Sequence, residues 1–228
     1  MHKNKELRDS YMSGYFITFE GGEGVGKTTQ ISLLAQYLGR KGYDVIITRE
    51  PGGTAGAEAI RYILLSGSVA QYGPFIETFL FTAARADHVS EIIMPSLQAG
   101  KIVLCDRFID STRVYQGINK GINNRVDAHI FSILEHIGMK GIKPDLTFLL
   151  DIPAKLGIER VNLRRKKIEK IDYFEKDDLA IQEQRRQAFL ELAKHEPYRF
   201  QVIDGTCAVE VIADQIKDIC HQLLPAFP

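Results

Sequence analysis

The segment that most restricts this chain runs Glu20-Gly-Gly-Glu-Gly-Val-Gly-Lys-Thr-Thr29 and carries a GxxxxGK[ST] pattern. An apolar, β-branched run (Tyr15–Phe19) precedes it, and a stretch at helical spacing (Thr28–Leu38) follows. Strand, glycine loop and helix together are the setting in which this pattern cradles phosphate. The glycines let backbone N–H groups turn inward around an anion. Lys27 adds a point charge at the β- and γ-phosphates, the Thr28 hydroxyl is placed for Mg²⁺, and the helix N-terminus contributes roughly half a positive charge. Gly21, Gly22, Glu23, Gly24, Val25, Gly26, Lys27, Thr28 and Thr29 are therefore the expected triphosphate-binding set. A glycine-rich turn that happens to contain Lys-Thr is the plainer alternative, and it explains neither flank.

The rest of the chain continues the alternation. Apolar runs at Tyr15–Phe19, Asp44–Thr48, Ile102–Cys105, Leu146–Leu150 and Arg199–Ile203 read as buried strands. Helical spacing fills Thr28–Leu38, Gly56–Leu65, Phe75–Gln98, Val126–Ile137, Ala154–Arg164, Asp177–Ala193 and Val209–Leu223. Such a pattern predicts an α/β fold, a five-stranded parallel sheet with helices on both faces, with ligands gathered at the carboxyl ends of the strands.

Composition narrows the function classes. The 228 residues are 45% apolar and 25% charged, the averages of a soluble globular protein, so one domain or at most two is expected. With 29 Lys plus Arg against 29 Asp plus Glu the net charge is zero. A surface that collects nucleic acid or anionic lipid needs a positive excess, so neither partner is expected. The three cysteines, Cys105, Cys207 and Cys220, form no CxxC, and the six histidines form no HxxxH, which argues against a disulfide framework and a protein-built zinc site. No apolar run is long enough to span a bilayer. Residues 1–14 are polar and read as a loose tail ahead of a single domain over 15–228, in a cytoplasmic protein.

Two further clusters follow strands. Asp106-Arg107-Phe108 comes after the third: the Asp can hold Mg²⁺ through water and the Arg can grip a second phosphate as a planar fork. In isolation the pair would be an ordinary surface ion pair. Thr48-Arg49-Glu50-Pro51-Gly52-Gly53-Thr54 follows the second strand as a tight turn. On the helix from Phe75, Ile76, Phe79, Leu80 and Ala83 form an apolar stripe, while Phe81, Arg85 and His88 share another face at i, i+4 and i+7. An aromatic with an Arg one turn later can stack on a base and bind its carbonyl or phosphate, although a lone helical Phe is more often core. A guanine-reading NKxD is missing: Asn119-Lys120-Gly121-Ile122 has Ile where the carboxylate belongs. A large mechanical ATPase would need further domains.

FEGGEGVGKTTQ, TREPGGT, ETFLFTAARADHV, DRFIDSTRVYQG and PDLTFLLDIP, in this order and spacing, resemble bacterial thymidylate kinases, from about Tyr15 to the last helix. The resemblance implies a P-loop nucleoside-monophosphate kinase fold with a lid at about 157–175, Mg²⁺ as cofactor, ATP and dTMP as substrates, and a homodimer. It implies that Phe81 stacks on thymine and Arg85 binds the base. Thr112 and Gln116 would line the base pocket, and Tyr115 would crowd the sugar 2′ position. Arg107 and Arg61 would bind the dTMP phosphate, with Arg49 and Glu50 beside the shaping turn, and Glu23 near the sugar 3′-hydroxyl and the metal. Thr28 and Asp106 are the expected metal holders. Phosphoryl transfer needs positioning and charge neutralisation more than a base, so Lys27, Asp106, Arg107 and a closing arginine are the expected catalytic groups. The loop position that carries that arginine in some members is Gly24 here, which leaves Arg160, Arg164 and Arg165 as the source. They lie in a run of six basic residues between Arg160 and Lys170, which is otherwise a solvated helix end. Another nucleoside-monophosphate kinase of the UMP/CMP type, or a nucleotide-binding regulator without turnover, are the competing readings.

Overall fold

The computed structural model describes residues 13–117, 126–165 and 178–223. Five strands form one all-parallel sheet in the order β2-β3-β1-β4-β5: β1 Tyr15–Glu20, β2 Val45–Arg49, β3 Ile102–Asp106, β4 Leu146–Asp151 and β5 Phe200–Asp204. The expected α/β architecture is the one found. Helices α1 Lys27–Arg40, α2 Ala55–Leu65, α3 Pro74–His88, α4 Met94–Gln98, α5 Ile109–Gly117, α6 Ala128–Met139, α7 Ala154–Arg165, α8 Leu179–His195 and α9 Val209–Leu223 cover it.

Period-two alternation along the strands splits the core. Ile17, Phe19, Leu104, Phe148 and Leu150 pack against Ile31, Leu34 and Leu38 of α1 and Ile212 and Ile216 of α9. On the opposite face Phe16, Val103 and Cys105 pack with Val89, Ile93, Leu97 and Phe108, while Leu149 joins Val114 of α5 and Phe189 of α8. Register then does the functional work. Phe19 and Arg49 both align with Asp106, so Glu20, Glu50 and Arg107 emerge together at one sheet edge.

Two local expectations change. The stretch Phe75–Gln98 is two α-helical pieces separated by a π-helical turn, Val89–Ile93. Pro95 explains the break, since it lacks an N–H and its ring crowds the carbonyl four residues back, where the wide turn gives room. Helix α5 is additional. Its apolar residues do not repeat at helical spacing because Asp110, Thr112 and Gln116 are buried polar positions. Two residues of the α3 apolar stripe lie outside the core. Ile76 and Phe79 are exposed, while α3 buries Thr78, Thr82, Ala84, Arg85 and His88. The buried Arg85 of that helix borders the polar cavity described below.

Candidate active site

A cavity of about 500 Å³ opens along the carboxyl edge of β1, β2 and β3. One wall is the phosphate loop and the start of α1: Glu23, Gly24, Val25, Gly26, Lys27, Thr28 and Thr29. Helix α1 begins after Gly26, which has φ 99° and supplies no side-chain cap, so the first amides of α1 stay open to an anion. Lys27 is buried and its Nζ donates to the carbonyls of Gly21 and Gly22 at 3.3 and 3.0 Å. Burial, followed by the nearby Arg107 charge, lowers its pKa. Gly21 and Gly22 lie behind the loop and line a small separate cavity of about 40 Å³ instead.

Thr28 Oγ1 donates to Asp106 Oδ2 at 3.0 Å, so the two expected metal holders are already neighbours on the cavity wall. Two hard oxygens with room for phosphate oxygens and water fit Mg²⁺, which keeps several waters and rarely uses an all-protein cage. Among the described residues no group of three His, Cys, Asp or Glu could hold a metal by itself.

The opposite wall comes from α3 and α5: Phe81, Arg85, Ser111, Thr112, Tyr115 and Gln116 line it. Buried hydrogen bonds hold it in place. Thr48 Oγ1 meets His88 Nε2 at 2.6 Å and His88 Nδ1 meets Glu50 Oε1 at 3.0 Å. Glu50 Oε2 accepts from Arg85 Nε at 2.7 Å, and Arg85 Nη2 donates to Thr112 Oγ1 at 2.8 Å. A carboxylate only accepts, so Nδ1 of His88 is a donor. Gly53 makes the approach feasible. Its φ is 91°, and a Cβ there would stand 2.6 Å from Thr48 Oγ1 and 2.8 Å from the His88 ring. Arg85, 2% exposed, keeps Nη1 without a protein partner among the described residues. Gln116 is 4% exposed, and neither Oε1 nor Nε2 has a hydrogen-bond partner among the described residues.

Arg107 joins the two walls. Its φ is 70°, and its guanidinium donates to Gly21 O at 3.0 Å, Ser111 Oγ at 2.8 Å, Glu23 Oε1 at 2.5 Å and the Tyr115 hydroxyl at 3.2 Å. Tyr115 has Arg107 on its ring at 5.1 Å and Arg185 at 4.3 Å. At the rim Arg49 pairs with Glu58 at 3.0 Å, and Arg61 donates to Pro51 O at 2.8 Å.

Arg160 and Val161 of α7 also line the cavity, and Arg160 Nη1 donates to Gly205 O at 3.1 Å. Arg164 and Arg165 end the same helix; their side chains, and most of the expected lid, lie outside the described residues. No side chain can stand at Gly24. Its φ is 72°, and a Cβ would fall 2.4 Å from Gly157 O of α7.

The cavity thus collects Glu23, Gly24, Val25, Gly26, Lys27, Thr28, Thr29, Arg49, Glu50, Arg61, Phe81, Arg85, Asp106, Arg107, Thr112, Tyr115, Gln116 and Arg160 of the expected residues. Residues missed from sequence are Ser111, which binds Arg107, and Glu20, buried beside it. His88 shares a helix face with Arg85, a visible signal, but its partner Glu50 is not legible in one sequence. Burial pushes the Cys105 thiol up, and that of Cys220 to about 12, so neither offers a thiolate.

The family model described as thymidylate kinase matches residues 19–216. A thymidylate kinase of Bartonella quintana (strain Toulouse) is 72% identical over 213 residues, covering 93% of this chain and 98% of its own length. That of Bartonella henselae (strain Houston 1) is 71% identical over 214 residues, again 93% and 98%. A crystal structure of thymidylate kinase from Ehrlichia chaffeensis superposes with a TM-score of 0.69 at 33% identity, covering 90% of this chain and 98% of that one.

Proposed function

The chain belongs to the thymidylate kinase family, phosphotransferases that move the γ-phosphoryl of ATP to dTMP, and on that premise we propose how its cavity divides the work. The loop Gly21–Thr29 with Lys27 holds the ATP phosphates. Wall α3–α5 holds dTMP, with Phe81 against the base, Arg85 Nη1 and the Gln116 amide on its polar edge, and Tyr115 beside the sugar. Glu23 takes the 3′-hydroxyl, and Arg61 and Arg107 take the acceptor phosphate, beside the turn of Arg49 and Glu50.

The observation that carries this reading is Gln116. A buried amide with both ends unbonded costs about 1–3 kcal/mol per group, and here it borders a cavity with a free guanidinium nitrogen and an aromatic ring. A pyrimidine edge satisfies all of them.

The acceptor phosphate is itself the nucleophile, so the protein supplies alignment and charge. Lys27 meets the charge spreading over the γ-phosphoryl, and Arg107 holds the attacking phosphate in line, its contact with Glu23 giving way to substrate oxygens. Thr28 and Asp106 would hold Mg²⁺, partly through water, and the ion would supply neutralisation of the developing negative charge. Because Gly24 has no room for a side chain, the further arginine comes from α7, from Arg160, Arg164 or Arg165. No helix among the described residues is long and apolar enough to cross a membrane. A homodimer is supported by the exposed apolar side chains of α2, α3 and α6, Tyr62, Phe75, Phe79, Ile130, Ile133 and Ile137.

Gln116→Met tests the assignment. The shape is kept and the orphaned polar atoms go, so the ligand-free protein should melt a few degrees higher while dTMP loses about tenfold in affinity and its advantage over dCMP shrinks. Calorimetric affinities unchanged for both nucleotides contradict the base pocket.

A further inference from the structure

Glu20 ends β1 and immediately precedes the phosphate loop, yet its side chain serves the other half of the site. The carboxylate is wholly buried. Its Oε1 accepts the Phe108 N–H at 2.8 Å and the Ser111 N–H at 3.4 Å, and Oε2 meets the Ser111 hydroxyl at 2.6 Å. These donors belong to the entrance of α5, where a helix has amides without intrahelical partners. Asp110, in the same turn, does not cap it. That carboxylate is taken by Arg199, whose Nη1 and Nη2 each donate to it at 2.7 Å, and by Arg113 at 3.2 Å. A side chain from a different strand therefore does the work of an N-cap residue.

What hangs on that entrance is the acceptor wall. Helix α5 carries Ser111, Thr112, Tyr115 and Gln116 into the cavity, and Arg107 lies just ahead of it. A non-glycine residue at φ 70° persists only where its surroundings hold it there. The Arg107 N–H is fixed by Phe19 O at 3.0 Å and the next amide, Phe108, by Glu20. The far side of α5 is fastened separately, through Arg113 to Glu135 of α6 and Glu196. Without Glu20 the helix keeps these anchors but its entrance is free to shift.

On the reading that α3–α5 is the dTMP wall, we propose that Glu20 is a positioning residue for the acceptor: as a hydrogen-bond acceptor it fixes the entrance of α5, and through it Arg107, Tyr115 and Gln116. Its backbone, paired with β4 through Leu149, carries the phosphate loop independently of the side chain. The role belongs to the lone pairs rather than the charge. Burial, with Asp110 adding to it, raises the Glu20 pKa to about 7, so both protonation states are populated near neutrality. Either state can accept the Phe108 N–H.

Glu20→Gln keeps the acceptor and loses the charge; Glu20→Met keeps the approximate volume and loses both. Steady-state KM for each substrate and hydrogen exchange at the 108–111 amides are measured for each. The Gln variant is expected within about threefold of wild type for dTMP, and the Met variant to raise the dTMP KM about tenfold or more with the ATP KM nearly unchanged, the factor that one lost hydrogen bond produces. Exchange at Phe108 and Ser111 accelerates in the Met variant alone. A Gln variant as impaired as Met would make the charge the active feature, and equal rises in both KM values would indicate general loosening; either overturns the proposal. Unchanged exchange in the Met variant overturns it as well, and the Gln variant decides the matter if the Met variant does not fold. Faster exchange with an unaltered dTMP KM, together with an unaltered KM in Gln116→Met, would instead fault the dTMP wall.

Discussion

Buried polar side chains decide this site, and Glu20 shows how strongly burial acts on one of them. Desolvation comes first and Asp110 second in resisting its charge, while Arg107, Ser111 and the Phe108 N–H work the other way. Lys27 on α1 and Cys105 on β3 also feel it. The carboxyl therefore keeps its proton to about pH 7 in the fold, against 4.5 for the ordinary group. A raised carboxyl pKa means proton uptake on folding. Its stabilising share is complete below about pH 4.5 and is lost as pH rises through about 7. Glu20→Gln has no such loss. Denaturant unfolding at pH 5 and pH 8 should move the stability difference in the variant's favour by up to ~3 kcal/mol, and a difference independent of pH would contradict the assignment. At this scale the sequence revealed residues that sit within a motif. Phe81 and Arg85 share a helix face, and Thr112 and Gln116 follow a strand-end Asp-Arg. Glu20 was hidden because its partners lie 88 and 91 positions along the chain, and nothing local marks a strand residue as the cap of a distant helix.

Among elements, α7 and the phosphate loop meet through two glycines. A Cβ at Gly157 would stand 2.6 Å from Glu23 O, while one at Gly39 in α1 meets nothing within 4 Å. Helix propensity favours Ala over Gly by about 1 kcal/mol at either site. Gly39→Ala should therefore raise stability by about that amount with kinetics unchanged. Gly157→Ala should push α7 off the loop, carrying Arg160 with it, and raise the ATP KM about tenfold or more, a shift of about 1.4 kcal/mol. Similar kinetics for the two variants would remove the close contact from the account. All five strands and the site-bearing loops could be read from periodicity and turn residues. Helix α5 could not, because its buried face is polar, and the α3 stripe could be placed neither inside nor outside the core, because apolar periodicity reports which residues share a face and not what covers that face.

At the scale of the whole molecule, the exposed apolar side chains of three neighbouring helices remain to be explained. Helix α3 packs between α2 and α6, and the three expose Tyr62, Ile63, Phe75, Phe79, Ile130, Ile133 and Ile137. Phe79 is 52% exposed in the single chain and would be covered in the proposed dimer. Sedimentation velocity should give twice the chain mass for the wild type and the single-chain mass for Phe79→Asp, and a wild type that is monomeric at micromolar concentration would rule the dimer out. The central claim is the pairing of a triphosphate loop with a thymine-reading wall in one cavity. It is tested most directly by coupled ADP release with ATP, Mg²⁺ and a panel of monophosphates. The account predicts rapid turnover with dTMP and far slower turnover with UMP, CMP and dCMP. Equal turnover across the panel, or none with dTMP, would contradict it.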